Sequence, residues 1–247
     1  MEPLDAARDL FDRRFPDAVA GFLGGSVLTT YRTTTSDLDI VVVLPQADVP
    51  YRQTIRHQGW LVELFVHTHP SLKRYWALDA AARKASLLRM CADGHILRAP
   101  NELAISIQTH ARHLLAAGPP SLSGQEREQR RYRLTDLLDD LIGCHDSAEL
   151  AYLAAALLTT GSELILLASG RWLDTGKWLA RRLTEIDGDL AARMIAAHLS
   201  AATGQDMQPL QQVMTEILER VGGPLREGFY APGSASTPTP EDQHLAR

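Results

Sequence analysis

Apolar positions in the first part of the chain change period several times. Residues 4–15 follow a helical spacing, with Leu10, Phe11 and Phe15 on one side, and Pro16 stops the run. Residues 18–23 form a short apolar strand that ends in Gly24-Gly25-Ser26. Leu38–Leu44 (LDIVVVL) is the β-branched run of a buried strand. Residues 51–56 and Trp60–Thr68 predict two further strands turned through His57-Gln58-Gly59. A helical pattern covers 71–92 and another covers 101–117, with a short strand at 95–98 between them.

Gly118-Pro119-Pro120 and the polar stretch 121–125 interrupt every period and mark a boundary. Beyond it the pattern is helical throughout, at about 125–144, 147–169, 174–186, 189–203 and 206–221, with Leu and Ala on the apolar faces as a bundle requires. From Ala231 the chain has too little apolar content to offset its entropy, which predicts disorder for 231–247. The expected architecture is therefore α+β. A mixed sheet with helices occupies 1–117, an all-α bundle occupies 121–230, and a tail follows. The full length of 247 residues agrees with one to two domains of roughly 150 residues.

Composition and charge narrow the classes. With 45% hydrophobic and 22% charged residues the chain reads as an ordinary soluble protein. Two cysteines, Cys91 and Cys144, are read as too few for a disulfide framework or a four-ligand zinc site, which points to a reducing cytoplasm. The start, MEPLDAARDLFDRRF, is acidic and amphipathic, unlike a signal peptide, and no apolar run is expected to reach the ~18 to 20 residues a membrane span needs. The net charge of −5 is unevenly spread: residues 1–120 hold 13 basic against 12 acidic side chains, and residues 121–230 hold 11 against 16. Neither part has the basic excess of a nucleic-acid binder. The acidic second part favours a cationic partner or is simply a solvated surface.

The chemistry concentrates between Gly24 and Val43, GGSVLTTYRTTTSDLDIVVV. Gly25 and Ser26 sit where a strand passes into a short helix, so exposed N–H groups there can cradle a phosphate. After ten intervening residues the pair Asp37 and Asp39 begins, and i, i+2 spacing on a strand puts both carboxylates on one face. Such a pair repels itself unless a cation lies between, and hard oxygen ligands select Mg²⁺ or Mn²⁺. The competing account is a polar turn that caps the strand. Glu63, within WLVELFVHT, shares its face with Leu61 and Phe65. It either joins the two aspartates or points to solvent from an edge strand.

Other residues carry weaker signals. Lys177 follows Gly176 near a helix start, where the plain reading is a solvated lysine. Glu149, Tyr152, Ala156, Thr160 and Glu163 fall on one helical face, as an acceptor cleft or a solvated stripe. His67 and His69 lack a third zinc ligand at matching spacing and read as polar residues at a strand end.

The combination of GGS, ten intervening residues, D-L-D before a hydrophobic strand, and a later strand glutamate resembles the signature of the DNA polymerase β-like nucleotidyltransferase superfamily. Residues 87–104 are similar to the helix and short strand that close this domain in bacterial members. A helical region after the catalytic domain is similar to the layout of aminoglycoside and lincosamide nucleotidyltransferases. Residues 161–183 resemble the helix, basic turn and helix of the streptomycin and spectinomycin adenylyltransferases, with a shorter loop around Lys177.

The resemblance implies that Gly25, Ser26 and Lys177 contact the nucleotide, that Asp37 and Asp39 bind metal, and that Glu63 is a ligand or the general base. It further implies Mg²⁺-dependent transfer of AMP from ATP to a hydroxyl of a small molecule of the antibiotic kind. Glu149 and Glu163 would then stand near the acceptor. Modification of a protein, as in toxin-antitoxin nucleotidyltransferases, and a non-catalytic nucleotide-binding regulator are the alternatives. Neither a nucleic acid nor a membrane is an expected partner, and monomer and homodimer are both open.

Overall fold

The computed structural model describes residues 2–46 and 49–232; the predicted tail, apart from Ala231 and Pro232, lies outside the described residues. The chain is α+β and divides into two compact units. The first comprises Met1–Ser121 together with Leu166–Ile186, and the second comprises Leu122–Ile165 and Asp187–Arg247.

In the first unit, strands β1 (Ala20–Gly24), β2 (Leu38–Leu44), β3 (Tyr51–His57), β4 (Trp60–Thr68) and β5 (His95–Ile96) form one sheet ordered β3-β4-β2-β1-β5. The β2 and β4 pair is parallel and the other pairs are antiparallel. Alternation along β2 assigns its faces. Leu38, Ile40 and Val42 pack with helix α1 (Pro3–Arg14) through Ala7, Leu10 and Phe11. Val41 and Val43 face the opposite core, built with α2 (His69–Ala81), α3 (Ser86–Ala92) and α4 (Glu102–Ala117) around Leu72, Trp76, Leu88 and Ile107. Asp39 is on this second face, at the end of the strand where the row Gly24, Asp39, Glu63, Thr54 crosses four strands in register.

The single helix expected over 71–92 is two helices. Thr68 and Ser71 form a capping box that starts α2 at His69. The chain then breaks at 82–85, where Arg83 takes φ 55° and Leu173 N–H donates to the Arg83 carbonyl at 2.8 Å. No glycine or proline announces that break; a long-range contact sets it.

The division at 117/121 also needs correction, because Leu166–Ile186 returns to the first unit. The Trp172 indole donates to the Leu115 carbonyl at 2.9 Å, and its ring is buried in the core around Trp76. The expected helix at 174–186 starts only at Lys177 (α7, Lys177–Ile186).

The second unit holds α5 (Gly124–Gly143), most of α6 (Ser147–Ala168), α8 (Gly188–Ala202) and α9 (Gln208–Arg220). Leu134, Leu157, Leu190, Met194, Met214 and Ile217 are buried in it. Contrary to the sequence expectation, α6 is long and apolar enough to cross a membrane by length and composition, with a mean hydropathy of 1.7. More than half of its apolar window is buried within the protein, as befits a core helix.

Arg98 fastens the exit of α1. It donates to Asp12 Oδ1 (2.7 Å) and to the carbonyls of Phe15 (2.9 Å), Pro16 (3.1 Å) and Ala18 (3.0 Å), and its guanidinium lies 4.7 Å from the Phe11 ring centroid. Arg98→Ala strips a charged donor from three carbonyls at once and is expected to destabilise the protein by about 2 kcal/mol. The denaturant midpoint checks this; an unchanged midpoint would remove Arg98 from the fold's support.

Candidate functional site

The turn after β1 is built by one backbone constraint. Gly25 has φ 83°, the left-handed region that favours glycine, and a Cβ there would overlap Asp39 Oδ2. The missing side chain lets the turn close directly over the aspartate. A single 3₁₀ turn, Ser26–Leu28, follows. Ser26 is 6% exposed and its hydroxyl hydrogen-bonds to the Ser36 hydroxyl at 3.0 Å, while Ser36 Oγ accepts from Thr33 N at 2.9 Å. Ser26 thus ties the glycine turn to the loop that delivers Asp37, a role its place beside the motif did not reveal.

Asp37, Asp39 and Glu63 each offer a carboxylate oxygen, and these oxygens lie within 4.8 Å of one another. Parallel register sets Asp39 directly beside Glu63. Glu63 is less enclosed than its sequence neighbours imply, since Leu61 on the same face is 40% exposed. It pairs with Arg52 on β3, whose guanidinium lies 4.8 Å from the Phe65 ring centroid. Strand alternation was the available signal for Arg52, since β3 pairs Arg52 with Phe65 and Thr54 with Glu63.

The electrostatics record the crowding. Asp39 is pushed up to about 7, first by burial, then by Asp37 and Glu63, while Arg52 and Lys177 pull it down. Lys177, exposed at the start of α7, therefore acts on the same carboxylate. A hard divalent cation relieves such repulsion, and the three oxygen donors are compatible with holding one.

The folded state holds the Asp39 proton more tightly than the unfolded chain, whose aspartate titrates near 3.8. Stability without metal is therefore greatest at low pH within this window and falls as pH rises from about 4 to about 7. Discounted for partial exposure, the loss is on the order of 2 kcal/mol. Melting in a chelator across this range should show the fall, and millimolar Mg²⁺ should flatten it. A flat profile in chelator would contradict the crowding.

A cleft of about 460 Å³ in the first unit opens beside Gly25 and Asp39. Tyr31, Arg89, Trp178 and Arg182 are among its walls. Arg182 is held by Asp174 (3.0 Å) and Glu185 (2.8 Å). Buried Arg89 Nε has no hydrogen-bond partner and lies 3.9 Å from Asp174 Oδ2. Arg181, outside the wall, stacks on both Tyr31 and Trp178, at 4.0 and 4.4 Å from their centroids. A wider hollow of about 900 Å³ along Arg8, His95 and Arg112 does not include the three carboxylates.

The remaining expected site residues lie in the second unit. Glu149 is exposed, with Cys144 Sγ at 3.6 Å. Glu163 accepts from Arg130 at 3.2 Å and shares a polar hollow with Thr160. On the predicted helical face, Tyr152 is exposed but Thr160 is buried, so the stripe is not uniformly solvated. His67 is buried against Tyr75, and His69 begins α2 instead of ending the strand.

No protein-family profile matches this sequence, and comparison with curated proteins gives no match. Among solved structures, a nucleotidyltransferase-like protein from Exiguobacterium sibiricum 255-15 is similar over 89% of this chain and 77% of its own, at 15% identity and a TM-score of 0.41. The functional reading rests on the residues of the site.

Proposed function

We propose that this protein is a divalent-metal-dependent nucleotidyltransferase that moves AMP from ATP to a hydroxyl group. The observation that carries the reading is the convergence of Asp37, Asp39 and Glu63 beneath the Gly25 turn. When bound there, Mg²⁺ would neutralise charge on the nucleotide phosphates. Asp37 and Asp39 would hold it, and the side-chain-free Gly25 turn lets a phosphate approach the backbone.

Arg89, whose Nε lacks a hydrogen-bond partner, and Arg182 stand on the same cleft wall beside Asp174 and Glu185, and Lys177 acts on the carboxylate of Asp39. Tyr31 and Trp178 offer apolar surface for the base. Glu63 would complete the metal ligands or take the acceptor proton, which is held too tightly for attack at neutral pH. The acceptor oxygen bonds to the α-phosphorus, the bond from that phosphorus to the bridging oxygen breaks, and pyrophosphate leaves.

ATP labelled separately at the α- and γ-phosphate tests this. Nucleotidyl transfer carries the α-label to the acceptor and releases the γ-label as pyrophosphate. Transfer of the γ-label would identify phosphoryl transfer instead, and binding without any transfer would favour a regulator.

A further inference from the structure

We propose that the acceptor is a small hydroxyl compound bearing one phosphate group, seated by Arg56 on the open face of the sheet beside Glu63. This deepens the nucleotidyltransferase reading and rests on it. Register places Arg52, Thr54 and Arg56 opposite Phe65, Glu63 and Leu61, so all six share the face that carries Asp39. Phe65 packs against the core formed with α2, α3 and α4, whereas Leu61 and the three β3 residues are exposed. The outer end of the face is thus an open shelf at the sheet's edge, adjoining the carboxylate that would meet the acceptor hydroxyl.

The charge on that shelf is positive. Arg52 is committed to Glu63, while no ion-pair partner is found for Arg56 among the described residues. Arg56 stands two residues beyond Thr54, the register partner of Glu63, which is roughly 7 Å along the strand and about the span of a compact acceptor between its hydroxyl and its anionic group. An exposed edge strand also wears arginine to resist pairing with other chains. That purpose does not require both arginines to point to the face of Glu63, and the opposite face carries Tyr51, Gln53 and Ile55. The acidic second part of the sequence favours a cationic acceptor, but the side chains flanking Glu63 have the opposite sign.

The test offers hexose phosphates, the parent hexoses, an aminocyclitol, cell-lysate protein and an oligonucleotide with Mg²⁺ and α-labelled ATP. The proposal expects label on the hexose phosphates alone, and Arg56→Ala raises their KM about tenfold with little change in kcat. Arg56→Lys should recover most of the loss. Label on the aminocyclitol or the unphosphorylated hexose, on protein or oligonucleotide, or an unchanged KM in Arg56→Ala overturns it. So does Mg²⁺-dependent ATP binding with none of this panel labelled. If Mg²⁺-dependent ATP binding is itself missing, the nucleotidyltransferase reading fails first.

Discussion

Replacing Asp39 by Asn is expected to make the metal-free protein more stable at neutral pH while ending its metal-dependent turnover. The amide is nearly the same size as the carboxylate but has no charge to desolvate and none to set against Asp37 and Glu63, the three causes that push Asp39 up to about 7. Removing them should return about 2 kcal/mol and raise the melting midpoint by several degrees in chelator. The same change deletes a ligand from the centre of the carboxylate group. Loss of about 4 kcal/mol of transition-state stabilisation corresponds to roughly a thousandfold fall in kcat/KM. Opposite signs for stability and activity separate a functional carboxylate from a structural one. A variant that melts lower in chelator and turns over normally would show that Asp39 supports the fold instead.

Gly25→Ala is expected to damage both properties. At φ 83° an alanine costs about 1–2 kcal/mol before any contact is considered, and its Cβ overlaps the Asp39 carboxylate. Either the turn opens or Asp39 is displaced, and displacement of a reacting group by about 1 Å costs on the order of a hundredfold in rate. The variant should therefore fold with a lower midpoint, lose Mg²⁺-dependent nucleotide binding and lose turnover. Unimpaired binding and turnover would mean that the close approach of this turn to Asp39 is incidental.

The legible parts of the sequence were those in which local pattern and tertiary packing agree. Leu38–Leu44 and Trp60–Thr68 are strands over the predicted spans, because a β-branched run buried on both faces in the first and alternating burial of Val62, Leu64 and Val66 in the second select the same conformation. The carboxylates were visible because spacing alone sets Asp37 and Asp39 close to each other, and a glutamate among apolar strand residues calls for a partner. What could not be read depends on distant contacts. The break between α2 and α3 rests on Leu173 reaching Arg83, and the return of Leu166–Ile186 to the first unit rests on Trp172. Arg52 carried a signal in its alternation with Thr54, but only the register opposite β4 assigns it to Glu63. The partner that Ser26 finds in Ser36 likewise depends on a loop whose path no local rule specifies.

Mn²⁺ titration with a non-hydrolysable ATP analogue, read by electron paramagnetic resonance, tests the metal centre most directly. The wild-type protein should take up Mn²⁺ stoichiometrically with the analogue. Asp39→Asn, still folded by circular dichroism, should leave the ion free. Equal uptake by both proteins, or none by either, would contradict the assignment of Asp37, Asp39 and Glu63 as the site of the metal and of the chemistry.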